Sequence, residues 1–323
     1  MTSAPLRVGT RGSALALWQT EQVRARLTAI GRASARLEIR TTGDLVQQVP
    51  LSRIGSRAIF TRQIDDALLE GRIDLAVHSL KDLPTTLPEG LVLAAVAERD
   101  DPRDALIGRG PLAWHELPRG ATLATSSLRR RAQLLHVRPD LTVVDIRGNV
   151  DTRLAKLDGN ADWTGILLAA AGLVRLGLDG RIGEWLSPEV MMPAPGQGAL
   201  AVTARAGDDQ AIAAAHSAVH HAPTAIAVAA ERAFLRRVEG GCQVPVGALA
   251  VPVPGASGAL ELRGRVVSLG GERAVEGTER GKAGDEPAAE RLGVRLADRL
   301  LAEGGAEILA QVRTATGPAV SEP

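Results

Sequence analysis

A single cysteine, Cys242, occurs in 323 residues. That excludes an internal disulfide and a zinc site built from several thiolates. Tyrosine is absent and phenylalanine stands only at Phe60 and Phe234, so the interior must be assembled from Leu, Val, Ile and Ala. Lysine is nearly missing: of 38 basic residues, only Lys81, Lys156 and Lys282 are not arginine. The longest apolar run, Ile166 to Val174, is far short of a bilayer span. Met1 to Leu6 carries no apolar leader, so the cytoplasm is the expected compartment. A net charge of +1 argues against general attraction to nucleic acid or membrane.

What is present is an ordinary globular composition, 45% hydrophobic and 23% charged, in a chain long enough for two or three domains. Composition bias accounts for much of the arginine excess. Only the placement of particular arginines is informative, because arginine suits bidentate recognition of carboxylate or phosphate.

Leu6-Arg7-Val8-Gly9 reads as a buried strand, followed by a helix to about Ile30 with Ser13 as N-cap and Leu17, Val23, Leu27 and Ile30 as its apolar face. Leu37 to Thr41 reads as a second strand, Phe60 to Glu70 as a helix, and Ile73 to Val77 as a third strand. This βαβαβ rhythm predicts a parallel sheet with helical crossovers. A second unit begins near Asp100, with strands at Ala105–Ile107, Ala121–Ala124, Leu141–Asp145 and Gly165–Leu168. Helices span Ser127–Val137 and Val150–Leu157. Pro193-Ala194-Pro195-Gly196 reads as a hinge, after which Ala199–Arg205 returns as a strand to the first sheet. A third unit opens with a helix over Thr224–Val238. Strands follow at Val246–Val251, Leu260–Val267 and Arg273–Thr278, then a polar loop from Gly281 to Pro287 and two final helices. The expected domains are 1–97 with 198–220, then 98–197, then 221–323. Two α/β units joined by two crossings enclose a cleft, and such sheets take ligands at the carboxyl ends of their strands.

The unusual residues sit at those ends. Val77-His78-Ser79-Leu80-Lys81-Asp82-Leu83-Pro84 places a Lys–Asp pair after a buried strand, where a carboxylate can be held ionised by its neighbour. A loop salt bridge is the plainer alternative. His78 reads as a hydrogen-bonding residue, not a base. Thr125-Ser126-Ser127-Leu128-Arg129-Arg130-Arg131 opens a helix with hydroxyls and arginines in its first turn, the makings of an anion site. Arg147-Gly148-Asn149-Val150-Asp151-Thr152-Arg153 repeats the arrangement after the next strand. With Arg11 these groups suit a polyanionic ligand; taken one at a time they could be solvated charges. Glu239-Gly240-Gly241-Cys242-Gln243-Val244-Pro245 presents the lone thiol on a glycine loop near Arg236 and Arg237. It is either a reactive thiolate or a small half-buried sulfur. His216 and His220, four apart, lack a third metal ligand and read as surface residues. Gly196-Gln197-Gly198 follows a hinge and not a strand, so it is no dinucleotide motif.

Together these segments resemble the porphobilinogen deaminase (hydroxymethylbilane synthase) family, from about Leu6 to Val312. The resemblance rests on Thr10 to Gln19, His78 to Pro84, Asp101 to Asp104, Thr125 to Arg130, Arg147 to Asn149, Pro193 to Gly198 and Glu239 to Pro245. It implies an α/β fold of three domains, the first two like type II periplasmic binding proteins and the third a small α/β domain with an antiparallel sheet. It also implies a monomeric transferase of tetrapyrrole biosynthesis. A dipyrromethane cofactor would be carried on Cys242 through a thioether. Four porphobilinogen molecules would be condensed onto it with loss of ammonia, and hydroxymethylbilane released by hydrolysis. Asp82 matches the catalytic aspartate, placed to stabilise the electron-poor azafulvene left when ammonia departs. Arg11, Ser13, Lys81, Thr125, Ser127, Arg129, Arg130, Arg147 and Arg153 match residues that hold the acidic side chains of cofactor and substrate. Asp44 matches a cofactor-loop residue, and Gln197 lies in the hinge. Arg57 and Phe60 belong to a lid loop in which Ser56 and Ala58 replace two glycines of the family pattern, a change expected to stiffen it. The competing readings are a two-lobed small-anion receptor without catalysis and, less in keeping with the charge, a nucleic-acid binder using Arg129-Arg130-Arg131.

Overall fold

A computed structural model of the chain describes residues 4–41, 61–238 and 244–316. Asp44, Arg57, Phe60 and Cys242 lie outside the described residues. The described chain divides into two compact units. One holds residues 4–41, 61–100 and 198–225; the other holds 101–197, 226–238 and 244–316.

The first unit contains β1 (Leu6–Thr10), α1 (Ala14–Ala29), β2 (Ser34–Glu38), α2 (Arg62–Leu69), β3 (Leu75–Ser79), β4 (Leu91–Val96), β10 (Leu200–Arg205) and α6 (Asp209–Val219). Its sheet runs β2-β1-β3-β10-β4. β1 is parallel to β2 and β3, whereas β10 is antiparallel to β3 and β4. The three strands of the βαβαβ rhythm are parallel as expected, and the returning β10 makes the whole sheet a mixed one. A strand returning after the crossing enters from the opposite end. Side chains along β3 alternate between two buried faces. Leu75 and Val77 join Val23 and Leu27 of α1 and Ala211 and Ala215 of α6. Ala76 turns to Ile64 and Leu68 of α2.

Two expectations shift here. The buried face of α1 is Gln19, Thr20, Val23 and Leu27. Leu17 is half-buried, and Ile30, at the C-cap, is 48% exposed. β2 occupies Ser34–Glu38 and not Leu37–Thr41, in register Leu6 to Ser34 and Thr10 to Glu38 with β1. It is a solvent-facing edge strand, so no apolar alternation marks it.

The second unit contains β5 (Asp104–Ile107), β6 (Thr122–Ala124), α3 (Leu128–Val137), β7 (Thr142–Val144), α4 (Val150–Asp158), β8 (Gly165–Ala169), α5 (Ala170–Arg175) and β9 (Glu184–Trp185). The order β7-β6-β8-β5-β9 reproduces that of the first sheet. Three parallel strands are followed by an antiparallel fourth, β5, that also pairs antiparallel with a fifth. The same unit carries a third sheet, antiparallel β11 (Val246–Pro252), β12 (Ala259–Val267) and β13 (Ala274–Lys282). Covering it are α7 (Ala222–Arg237), which enters from the first unit, with α8 (Glu286–Leu300) and α9 (Ala306–Thr316). Phe234 of α7 is fully buried against β12. It fits because Gly264 has no side chain; a Cβ there would lie 2.7 Å from the ring's Cζ. β13 runs to Lys282, two residues into the stretch expected to be loop.

Candidate active site

Parallel pairing of β1 and β3 brings the turns after both strands to one edge of the first sheet. After β3 the chain makes one tight helical turn, Leu80–Asp82. Leu80 and Leu83 are buried, and the Leu80 N–H donates to the Ala199 carbonyl at 3.0 Å. Those anchors leave Asp82 half-buried in the lining of a pocket of about 70 Å³. Arg11, Ser13, Gln19, His78 and Ser79 line the same pocket. Ser13 Oγ accepts from the Ala16 N–H at 3.3 Å and so caps α1, while its own O–H remains available as a donor. Lys81, beside Asp82 in sequence, is not among the lining residues.

Three lining residues were not singled out for this pocket from sequence. Gln19 Nε2 donates to Ser79 Oγ at 2.9 Å, tying α1 to the end of β3. Thr61 is 1% exposed and reaches the pocket from the start of α2. His78 is 6% exposed, and its Nε2 lies 3.2 Å from Thr203 Oγ1 on β10. Burial, reinforced by the Arg11 charge, lowers the His78 imidazole to about 4. It is neutral at physiological pH, in keeping with its reading as a hydrogen-bonding residue. Gln19 and His78 lie in segments that carry the resemblance but have no site role there, and Thr61 lies in none; Gln19, at helical spacing from Val23, could have been found by asking why a polar residue shares an apolar face.

In the second unit, β6 and β7 are parallel, so Thr125–Ser127 and Arg147–Asn149 again share one sheet edge. Ser127 caps α3, its Oγ accepting from the Arg130 N–H at 3.4 Å. Thr125 is buried, and its Oγ1 accepts from the Ser127 N–H at 3.2 Å. Gly148 takes φ +120°, a region L side chains rarely adopt; a Cβ there would also lie 2.6 Å from Thr152 Cγ2. Arg153 Nε donates to the Gly148 carbonyl at 2.7 Å, so Arg153 folds back over the turn that carries Arg147. Arg147 is half-buried, and burial lowers its pKa against the opposing pull of Asp145. A bound anion would relieve that desolvation.

Arg129 and Arg130, read from sequence as part of an anion site, carry a further set of contacts that local sequence does not announce. Both are buried, at 5% and 6% exposure, and both turn inward to Asp104 at the start of β5. Arg129 Nη1 donates to Asp104 Oδ2 at 2.7 Å and to the Met192 carbonyl at 2.8 Å. Arg130 Nε and Nη2 donate to Asp104 Oδ1 at 3.0 and 2.7 Å. The third residue of the run, Arg131, is exposed. Two of the three arginines are thus internal. Gln197, expected in the hinge, is fully buried and donates to the Pro102 carbonyl at 2.7 Å and to Asp104 Oδ1 at 3.0 Å. Sequence inspection also passed over Glu231 of α7. This buried carboxylate accepts from the N–H groups of Gly196 at 2.7 Å and Ala250 at 2.8 Å. No cluster of three or more metal-ligating side chains occurs among the described residues. His216 and His220 stack instead, with ring centroids 4.2 Å apart.

Fold and site together define an α/β protein whose polar and charged side chains collect where the strands of such sheets take their ligands. The family model for "porphobilinogen deaminase, dipyromethane cofactor binding domain" matches residues 6–213, and the model for the family's C-terminal domain matches 225–302. The chain is 54% identical over 309 residues to the porphobilinogen deaminase of Rubrobacter xylanophilus, covering 95% of this chain and 97% of that one. It is 47% identical over 322 residues to that of Syntrophotalea carbinolica, covering 99% and 100%. A solved nutrient-binding protein from Burkholderia cenocepacia, bound to methionine, is 14% identical with a TM-score of 0.41, over 66% of this chain and 91% of that one. The chain belongs to the porphobilinogen deaminase family and carries its dipyrromethane cofactor-binding domain.

Proposed function

We propose that the chain is a hydroxymethylbilane synthase, condensing four porphobilinogen molecules head to tail with loss of ammonia and releasing the linear product by hydrolysis. The observation that carries this reading is the shared pocket of Asp82, Arg11 and Ser13 in a chain of this family. An anion receptor has use for Arg11 and Ser13, but a carboxylate in the same small pocket would repel its ligand. A reaction that develops positive charge on a pyrrole does need one.

The residues present fit a dipyrromethane bearing acetate and propionate groups. Arg147 is half-buried, and a bound carboxylate would favour its charged form against that burial. Thr125, Ser127, Arg129, Arg130 and Arg153 stand around the same sheet edge, and Asp44 and Cys242 are assigned to the group from sequence alone. When bound through Cys242, the dipyrromethane supplies the primer for elongation. Arg11 and the Ser13 hydroxyl orient the acidic side chains of an incoming porphobilinogen. As the C–N bond breaks, ammonia leaves with the bonding pair. The Asp82 carboxylate then holds the cationic pyrrole and accepts the proton released when the new C–C bond forms. Lys81 supports Asp82 from the same turn. Arg57 and Phe60 act in the lid, and Gln197 in the crossover. The enzyme works as a cytoplasmic monomer; no helix among the described residues is long and apolar enough to cross a membrane.

Intact mass is the direct test. Protein purified from a porphobilinogen-producing cell should weigh more than its sequence by two linked pyrroles and colour with an acidic aldehyde reagent. Cys242→Ser should lack both properties. An unmodified wild-type mass together with no turnover of porphobilinogen would favour the receptor.

A further inference from the structure

Asp104 is fully buried at the first residue of β5, three residues after the chain crosses into the second unit. Among the described residues its two oxygens accept from the side chains of Arg129, Arg130 and Gln197. Gln197 is the last residue before the chain crosses back, and the same Nε2 donates to the carbonyl of Pro102 on the outgoing crossing. One carboxylate therefore joins both crossings to the first turn of α3.

Arg129 is held by only one of its nitrogens. Nη1 bridges Asp104 and the Met192 carbonyl, while Nε and Nη2 make no hydrogen bond among the described residues. Neither is sealed from solvent without a partner. A guanidinium fork gripped at one tip presents its other edge in a fixed direction, which is the geometry for taking a carboxylate through two parallel N–H bonds. Arg130 differs: Nε and Nη2 grip Asp104 together, and Nη1 donates to the Leu167 carbonyl at 2.9 Å. It closes the base of the cluster.

We infer that Asp104 is a positioning residue, which aims the open edge of Arg129 at a ligand carboxylate and ties that arginine to both chain crossings through Gln197. The inference rests on the proposed function, which makes the ligand a carboxylate-bearing pyrrole. It adds a coupling: drawing Arg129 toward a ligand pulls on Asp104, and Asp104 holds the two segments that lead into and out of the second unit. Loading of the anion site is then felt at the crossings, with no contact between them and the ligand.

The test compares wild type with Asp104→Asn, which keeps the shape and removes the charge. Kinetic constants for porphobilinogen are measured, with hydrogen–deuterium exchange of peptides covering 98–104 and 193–198 before and after porphobilinogen is added. The expected result for Asp104→Asn is a KM raised roughly tenfold or more with a smaller change in kcat, as for weakening one charge-assisted contact. Porphobilinogen should slow exchange at both crossings in wild type and not in the variant. Unchanged KM with unchanged protection would overturn the inference. Should Asp104→Asn fail to fold, Gln197→Met leaves the Arg–Asp pairs intact. It should abolish porphobilinogen-induced protection of 98–104, and persisting protection would count equally against the coupling. Active wild type with an indifferent Asp104→Asn removes the inference alone; wild type that does not consume porphobilinogen removes the proposed function, and the inference with it.

Discussion

His78 provides the most direct check on the electrostatics of the pocket. Its imidazole is buried beside Arg11, which lowers its pKa from 6.5 to about 4. The unfolded chain takes up this proton below about pH 6.5, whereas the folded chain refuses it until about pH 4. The folded state therefore loses stability as pH falls through that window. The loss is about 1.4 kcal/mol per pH unit and reaches about 3 kcal/mol at its lower end. His78→Asn, which can still hydrogen-bond but cannot titrate, should lack this component. Urea unfolding of both proteins between pH 7.5 and 4.5 isolates it, because the remaining histidines contribute equally to each. NMR of the labelled imidazole gives the midpoint itself. A His78 midpoint at or above 6, or parallel stability curves for the two proteins, would refute the burial argument. A midpoint near 4 also means that no acid limb of the activity profile between pH 5 and 8 belongs to His78.

Asp82→Asn should fold normally and lose turnover by about a hundredfold or more, the usual worth of a positioned acid–base group; near-normal steady-state rates would remove Asp82 from the mechanism. Asp65, on α2, is 4% exposed with Oδ1 unpartnered among the described residues, and burial raises its carboxyl from 3.8 to about 6. Stability is lost as pH rises across that interval, so Asp65→Asn should stabilise the first unit by up to about 3 kcal/mol at pH 7 and by almost nothing at pH 4. Equal unfolding midpoints at pH 7 would contradict this.

Much of this architecture could be read from local chemistry. Ser13 reads as an N-cap, and its hydroxyl accepts a first-turn N–H; Ser127, placed at the start of its helix, caps it in the same way. Burial on β1 and β3, and the polar residues that follow each strand, showed in simple patterning. The misreadings arose where long-range partners decide. Nothing near Arg129 and Arg130 announces Asp104, 25 and 26 residues away, so their inward pairing has no local signature. β2 is defined by its register against β1 and not by its own faces, one reason its limits slid by three residues. The direction of β10 is open in the sequence for the same reason: an apolar run such as Leu200–Ala204 is compatible with either orientation.

The position of β10 between β3 and β4 bears on how the molecule is made. On a ribosome, 199 residues must emerge before that strand exists, and until then β3 and β4 have no common neighbour. The second sheet, β5 to β9, needs only the contiguous stretch from Asp104 to Trp185. The nascent chain therefore completes its middle first, while its beginning waits, half-assembled, for a strand still in the exit tunnel.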